Sequence, residues 1–437
     1  MNAQETKAAA VFLGADPRPV LPRLRWMICG LLFFATTINY IDRQVLSLLK
    51  PVLEKELGWN ESQYGWIVFG FQLAYGLMMP LAGRLLDWLG TRLGYMLAVA
   101  LWSVAAMLHS LAGSAAQFGL ARFALGFGES ANFPAAIKTV TNWFPRRERA
   151  LATGIFNSGS NIGAVVAPLV VPYLALHHGW RSAFVATGAI GFLWLILWAL
   201  CYREPNTTEK AALHSGEEEA PTKPLPYSHL LTSRTAWAYT IGKFLTDPVW
   251  WFYLFWLPGF LNRVYGLDLS NLGLPLIVVY QAASIGSIGG GWISSVLIKR
   301  GWTVNKARKT AMLVCALSVT GVIFVKNASN VWVAVALVSV AAAGHQGWSA
   351  NLFTLPTDVF RRDAVASAIG LGGMGGAIGG LLVSPAVGYW LDFSHGAYGP
   401  LFVAAGSIYL IALLIIHLLV PNLDAAPSVS EGTPTAA

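Results

Sequence analysis

The stretch from Phe118 to Ile137 is apolar or small at nearly every position, yet it contains Arg122 and Glu129. Seven residues is almost two helical turns. Both side chains therefore leave a helix on nearly the same face, about 10 Å apart along its axis. An ionisable group at mid-membrane depth costs at least ~3 kcal/mol on insertion scales, so it normally faces a protein interior or a watery cavity. One such pair inside a chain of many apolar spans points to a buried polar pathway. The plainer alternative is an Arg–Glu bridge that ties two helices together.

The elements that would position this pair are membrane spans. Of 437 residues, 55% are hydrophobic and 11% charged, against about 25% charged in ordinary soluble domains. Apolar runs near the ~20 residues needed to cross a bilayer recur along the chain. They fall at about 23–45, 62–85, 92–112, 117–139, 149–174, 180–202, 237–261, 272–298, 308–326, 330–356, 364–390 and 399–421. The expected fold is an all-α integral membrane protein of twelve helices. A transmembrane barrel would instead need ~10-residue alternating strands. The first run is too long for a cleaved signal and lacks a small-x-small site.

Basic residues set the orientation. Arg23 and Arg25, Arg84 and Arg92, Lys138 with Arg146, Arg147 and Arg149, and Lys299 to Lys309 all fall on one side of this pattern. The opposite loops hold few, such as Lys50, Lys55, Arg181, Arg263 and Lys326. The positive-inside bias puts both termini in the cytoplasm and accounts for the net charge of +8 without a nucleic-acid partner. Cys29, Cys201 and Cys315 lie far apart inside spans and read as packing residues, with no disulfide or metal site.

Residues 203–236 contain Glu217, Glu218, Glu219 and several prolines without apolar periodicity, and read as a solvated linker. This divides the chain into an amino-terminal six-helix half (1–202), the linker (203–236) and a carboxy-terminal half (237–437). An internal echo supports the division. At a constant shift of 216 residues, Phe144, Arg146, Ala150, Ala152, Gly154, Gly159, Ile162 and Gly163 match Phe360, Arg362, Ala366, Ala368, Gly370, Gly375, Ile378 and Gly379. Two parallel repeats place a binding site between the halves near the midplane. Glycines from Gly370 to Gly380 offer close helix contacts rather than a phosphate cradle. No nucleotide-binding Gly-Lys-Ser/Thr loop, metal-ligand spacing or nucleophile–base cluster occurs, so no cofactor and no enzymatic chemistry are expected. A membrane sensor would need a sizeable soluble output domain, which neither the linker nor the tail offers.

The segment Gly83-Arg84-Leu85-Leu86-Asp87-Trp88-Leu89-Gly90-Thr91-Arg92 resembles the signature of the major facilitator superfamily, with Gly83, Asp87, Gly90 and Arg92 in the expected places. The glycines are read as turn residues, and Asp87 as a helix cap able to pair across the half interface. Further segments are similar to the anion:cation symporter family, which includes bacterial hexuronate carriers. They are Asn39-Tyr40-Ile41-Asp42-Arg43, Gly126 through Pro134, Asn142-Trp143-Phe144-Pro145, Gly179-Trp180-Arg181, Trp251 through Pro258, and Ala343-Gly344-His345-Gln346 followed by Thr357-Asp358-Val359-Phe360. That resemblance covers about 22–421. It implies a proton-coupled importer of a sugar acid, such as glucuronate or galacturonate, working by alternating access as a monomer in a bacterial inner membrane. An exchanger or a sodium-coupled carrier of another organic anion is the alternative.

The resemblance also assigns roles. Asp42 and Glu129 fall on the proton-coupling carboxylates, and Arg43 and Arg122 on basic positions used for charge pairing and carboxylate recognition. Asp42 could instead be a helix-end charge in the wet outer mouth. Tyr75 matches a position near substrate, with Gln72 beside it. Asn157 and Asn161 share a helical face. In the second half, Lys243 and Asp247 are four apart and able to pair, and Lys243 is a candidate ligand for a substrate carboxylate. Tyr280, Gln281, His345, Gln346, Trp348 and Asn351 could contact a sugar ring. His345 could equally be a neutral packing histidine.

Overall fold

A computed structural model describes residues 20–209, 227–360 and 362–423. The described chain is helical, with no strand. In order the helices are α1 (Val20–Leu57), α2 (Glu61–Leu89), α3 (Thr91–Leu108), α4 (Ala115–Glu129), α5 (Asn132–Trp143), α6 (Arg146–His178) and α7 (Trp180–Cys201). They continue with the short α8 (Tyr227–Thr232), α9 (Arg234–Tyr265), α10 (Gly273–Lys299), α11 (Val304–Thr320), α12 (Val331–Leu352), α13 (Thr354–Val359), α14 (Arg362–Phe393) and α15 (Gly399–Leu419). They build the twelve-span bundle, with the fourth span made of α4 and α5 and the tenth of α12 and α13.

Several departures from the expected spans have physical causes. The first span runs on to Leu57, making α1 38 residues long, or about 57 Å. Its last turns extend past any ~30 Å hydrocarbon core, because Lys50, Glu54 and the chain beyond find partners there. The fourth span breaks after Glu129, where Ser130 and Ala131 bond back to Gly126 and Gly128. The linker is not wholly solvated. Leu230 is buried with Ala236, Phe360, Ala368 and Leu371. Residues 217–219 lie outside the described residues. Gly83 sits inside α2, so it makes no turn, whereas Gly90 does, joining α2 to α3 at φ 78° and ψ 159°. That conformation is essentially open to glycine alone.

Among the described residues, nine helical stretches are long and apolar enough to cross a membrane by themselves. The fourth span is broken, with α4 only 15 residues long, and the seventh carries Lys243 and Asp247 within α9.

The internal echo reappears in packing. A methyl group at Gly159 or Gly163 of α6 would stand 2.4 Å from Phe33 O or 2.5 Å from Thr37 O of α1. At Gly375 or Gly379 of α14 it would stand 2.8 Å from Thr240 O or 2.2 Å from Phe244 O of α9. Both helix pairs meet through two glycines four residues apart, laid on carbonyls four residues apart. Phe244 O is also the carbonyl that Pro248 cannot bond, and the glycine lets a neighbouring backbone approach it.

One end of the bundle is sealed. A single apolar cluster runs from Leu53, Tyr64 and Ala167 through Phe255, Phe260 and Tyr398. A second, built around Trp102, Trp143 and Trp198, draws only on residues before 203. The hydrogen bonds and ion pairs that join residues 20–209 to residues 227–423 among the described residues all involve α2 between Glu61 and Gln72. These contacts pin the two parts of the chain together at the end bearing the α1–α2 turn.

Candidate functional site

Two ion pairs join charged residues that the sequence singled out, one from each part of the chain. In the first, Arg43 Nε on α1 donates to Glu129 Oε2 on α4 at 2.6 Å, with both side chains almost wholly buried. This corrects the pairing read from the sequence: Glu129 is bonded to Arg43, not to Arg122 on its own helix. Arg122 Nη2 instead donates to the backbone carbonyl of Arg43 at 2.9 Å, which fixes the α1 backbone at that residue. Sequence spacing placed Arg122 and Glu129 on one face correctly. It could not show which neighbouring helix would present a closer charge.

Close helix packing makes this site possible. Gly126 leaves α4 so near α2 that a methyl there would lie 2.3 Å from Phe71 O, and Gly128 does the same against Trp102 N of α3. Aromatic faces then enclose the Arg43 guanidinium. Its Cζ lies 4.9 Å from the Tyr40 ring centre, 5.2 Å from Phe71 and 4.8 Å from Tyr75, geometries that attract a cation to a ring. Tyr75 stacks on Phe71. Asp42 is buried within electrostatic reach of Glu129, Thr187 and Arg122, so it does not stand in a wet mouth.

These charges are incompletely bonded. Arg43 Nη2 and the Nε and Nη1 atoms of Arg122 are buried donors without a hydrogen-bond partner among the described residues. A buried charged donor left unpaired costs more than the ~1–3 kcal/mol of a neutral one. Such a cluster can accept an anionic oxygen with little rearrangement.

The second pair lies within α9, where Lys243 Nζ meets Asp247 Oδ2 at 2.7 Å. Lys243 Nζ also stands 4.3 Å from the Phe353 ring centre. Gly376 of α14 makes room for it, since a methyl there would lie 2.1 Å from Asp247 Oδ2. Tyr40 lies within electrostatic range of both Glu129 and Asp247, so the two pairs share one polar interior.

The remaining candidates divide. Gln72 is buried and accepts from Ser384 of α14 at 2.8 Å. His345 Nδ1 lies 2.5 Å from Tyr409 OH, and its ring stacks on Trp250 at 5.3 Å and 3°. Tyr409 in turn donates to Thr246 O, so His345 joins α12, α15 and α9. Asn351 spends its amide nitrogen on Gly290 O and Gly347 O, tying α10 to α12. Gln346 is half-buried, Asn161 partly exposed, and Asn157 and Gln281 exposed. In the loop motif, Arg92 Nη2 donates to Ala199 O at 2.7 Å, while the side chain of Asp87 lies outside those described.

The sequence reading missed the sealed end. Lys50 Nζ, deeply buried, bridges Glu54 at 2.6 Å and Glu61 at 2.9 Å. Arg263 of α9 reaches Glu61 at 3.6 Å. Asp392 of α14 accepts from the backbone N–H groups of Glu61 and Ser62 at 2.9 and 2.7 Å. Asn60 caps Gln63 N, so a carboxylate from elsewhere in the chain completes the N-terminus of α2. The Lys50–Glu54 spacing just past the first span was the available signal.

Comparison with known proteins now decides the family. The Major Facilitator Superfamily model matches residues 32–384. The chain belongs to that superfamily. It is a multi-pass membrane transporter rather than an enzyme. It is 32% identical over 420 residues to the hexuronate transporter of Escherichia coli strain K12, covering 93% of this chain and 96% of that one. It is 31% identical over 331 residues to the galacturonate transporter of Dickeya chrysanthemi, covering 73% of this chain and 96% of the relative. Among solved structures, a D-xylose-proton symporter superposes with a TM-score of 0.74 at 15% identity, over 92% of this chain and 99% of that one. That likeness concerns the fold alone.

Proposed function

We propose that this transporter imports a sugar acid, a hexuronate such as glucuronate or galacturonate, together with protons by alternating access. The observation that carries the reading is the Arg43–Glu129 contact beside under-bonded arginine donors. Arg43 has one short partner, and a substrate carboxylate competes for the same guanidinium. When Glu129 takes a proton, Arg43 is released to bind the substrate carboxylate. When the proton leaves, Glu129 reclaims Arg43 and the substrate departs. Asp42 supplies a second buried carboxylate within electrostatic reach. Lys243, freed from Asp247, can hold the ring or carboxylate from the other side, with Tyr75, Asn157, Asn161, Gln281, His345, Gln346 and Asn351 as further candidates. The hexuronate and galacturonate transporters among its relatives favour this substrate class.

The moving bodies in this reading are residues 1–202 and 237–437, joined by the 203–236 linker. The protein works as a monomer in a bacterial inner membrane with both termini in the cytoplasm. With that orientation, the pinned end faces outward. External labelling of a tag at either terminus or in the linker of intact cells would contradict the orientation.

The decisive measurement is uptake into proteoliposomes of labelled glucuronate, galacturonate, galactonate and dicarboxylates, with and without a pH gradient. Accumulation of a hexuronate driven by an acidic exterior is expected. Accumulation that needs sodium, or that favours a dicarboxylate, would establish the alternative carrier instead.

A further inference from the structure

A cleft of about 260 Å³ opens between α11 and α15 near the basic loop, lined by Lys306, Lys309, Thr310, Leu313, Leu413 and His417. Its upper part is cationic and its lower part apolar. Lys309 Nζ is held by Val420 O, Pro421 O and His417 Nδ1, which fixes one positive charge at the rim. Lys306, exposed, stands 4.3 Å from the ring centre of Trp302. Below, Leu313 is exposed, as are Leu410, Leu414 and Leu418 along the same face of α15. A helix face of exposed leucines in a membrane protein faces lipid tails. Trp302 marks the depth at which headgroups sit.

The equivalent position in the first part of the chain provides a contrast. There a cleft between α3 and α7 is lined by Leu89, Gly90, Arg92, Leu93, Met96, Ala199 and Glu204. Glu204 accepts from Thr91 N and Asn142 Nδ2 and places a carboxylate where the α11–α15 cleft has only basic or neutral groups. The loop from Lys299 to Lys309 contains five basic residues and no acidic one. Of these, Arg308 is engaged by Asp358 and Ser294.

We infer that the α11–α15 cleft is a binding site for the headgroup of an anionic phospholipid, with Lys306 and Thr310 taking the phosphate and Leu313 and Leu413 the start of the acyl chains. Basic pockets between spans at this membrane level bind such headgroups. An inorganic phosphate would use the lysines but not the apolar floor. The inference rests on membrane placement and is independent of which substrate is carried.

The test is native mass spectrometry of the purified full chain in detergent with phosphatidylglycerol or phosphatidylcholine, repeated in 10 mM inorganic phosphate. Retention of phosphatidylglycerol about fivefold above phosphatidylcholine is expected, insensitive to phosphate. Lys306→Gln should reduce that retention about threefold or more, and Lys306→Arg should preserve it. Lys326→Gln, at the opposite end of the same segment, should leave it unchanged. Equal retention of the two lipids, displacement by inorganic phosphate alone, or indifference to Lys306→Gln would each overturn the proposal.

Discussion

Glu129 and Arg43 depend on one another because neither has water to fall back on. Removing Arg43 alone leaves a buried carboxylate uncompensated, a change that costs about 3–5 kcal/mol in comparable pairs. Arg43→Gln should therefore lower thermal stability at pH 8 strongly, and Arg43→Gln with Glu129→Gln should recover most of the loss. Additive losses in a detergent thermal-shift assay would mean that the pair is not coupled. Glu129→Gln alone should bind and exchange substrate yet fail to concentrate it when the exterior is acidified. Retained concentrative uptake would leave the pair a structural tie. Both ionisable residues of α4 were legible in the sequence because charge stands out in an apolar span. Their partners were not, since the sequence gives the face of a helix but not the neighbour that meets it.

At the level of elements, the α1–α6 and α9–α14 contacts depend on glycines laid against carbonyls. Gly163→Ala would put a methyl 2.5 Å from Thr37 O and 2.8 Å from Tyr40 Cβ, close to the residues that surround Arg43. Overpacking of this kind costs about 1–3 kcal/mol. Gly154→Ala, on the same helix with nothing within 4 Å, should be tolerated. Melting temperatures of the two variants separate packing from helix propensity. The glycine echo could be read from the sequence, but its carbonyl partners could not, because backbone atoms carry no residue signature. The start of the linker makes a different prediction. Arg203 grips Glu209 through two bonds of 2.6 and 2.5 Å, and Glu209 also accepts from Asn206 N. The Arg203 hydrogen bonds hold the Glu209 carboxyl below its ordinary value of 4.5. A carboxyl with a depressed value stabilises this turn fully above pH 4.5, and that contribution is lost as pH falls through the lower folded value. Amide protection at residues 206–209, taken relative to intrinsic exchange at each pH, should accordingly fall as pH drops below 4.5, and Glu209→Gln should remove that pH-dependent loss.

For the whole molecule, the seal is made by parts that looked like ordinary loop charges. Lys50, Glu61, Arg263 and Asp392 come from α1, α2, α9 and α14, and nothing in a linear sequence brings them together. Asp392 completes the N-terminus of α2 only while the halves touch. Hydrogen bonds to charged groups are worth about 1.5–3 kcal/mol each, so Asp392→Ala should raise the population opened at this end at least tenfold. Spin labels at Lys55 and Phe393, both exposed, would report a longer distance component; an unchanged distribution would show that the apolar cluster alone holds the seal. The seal also has an electrical consequence. Its polar contacts on α2 run from Glu61 to Gln72, about 16 Å of helix, roughly half of a ~30 Å hydrocarbon core. A membrane voltage falls mostly across the non-conducting thickness, so in this state the field concentrates within that short plug. Moving an elementary charge through 100 mV is worth about 2.3 kcal/mol. The step that dissolves the plug, more than the protonation of Glu129, is where voltage should govern the rate of transport.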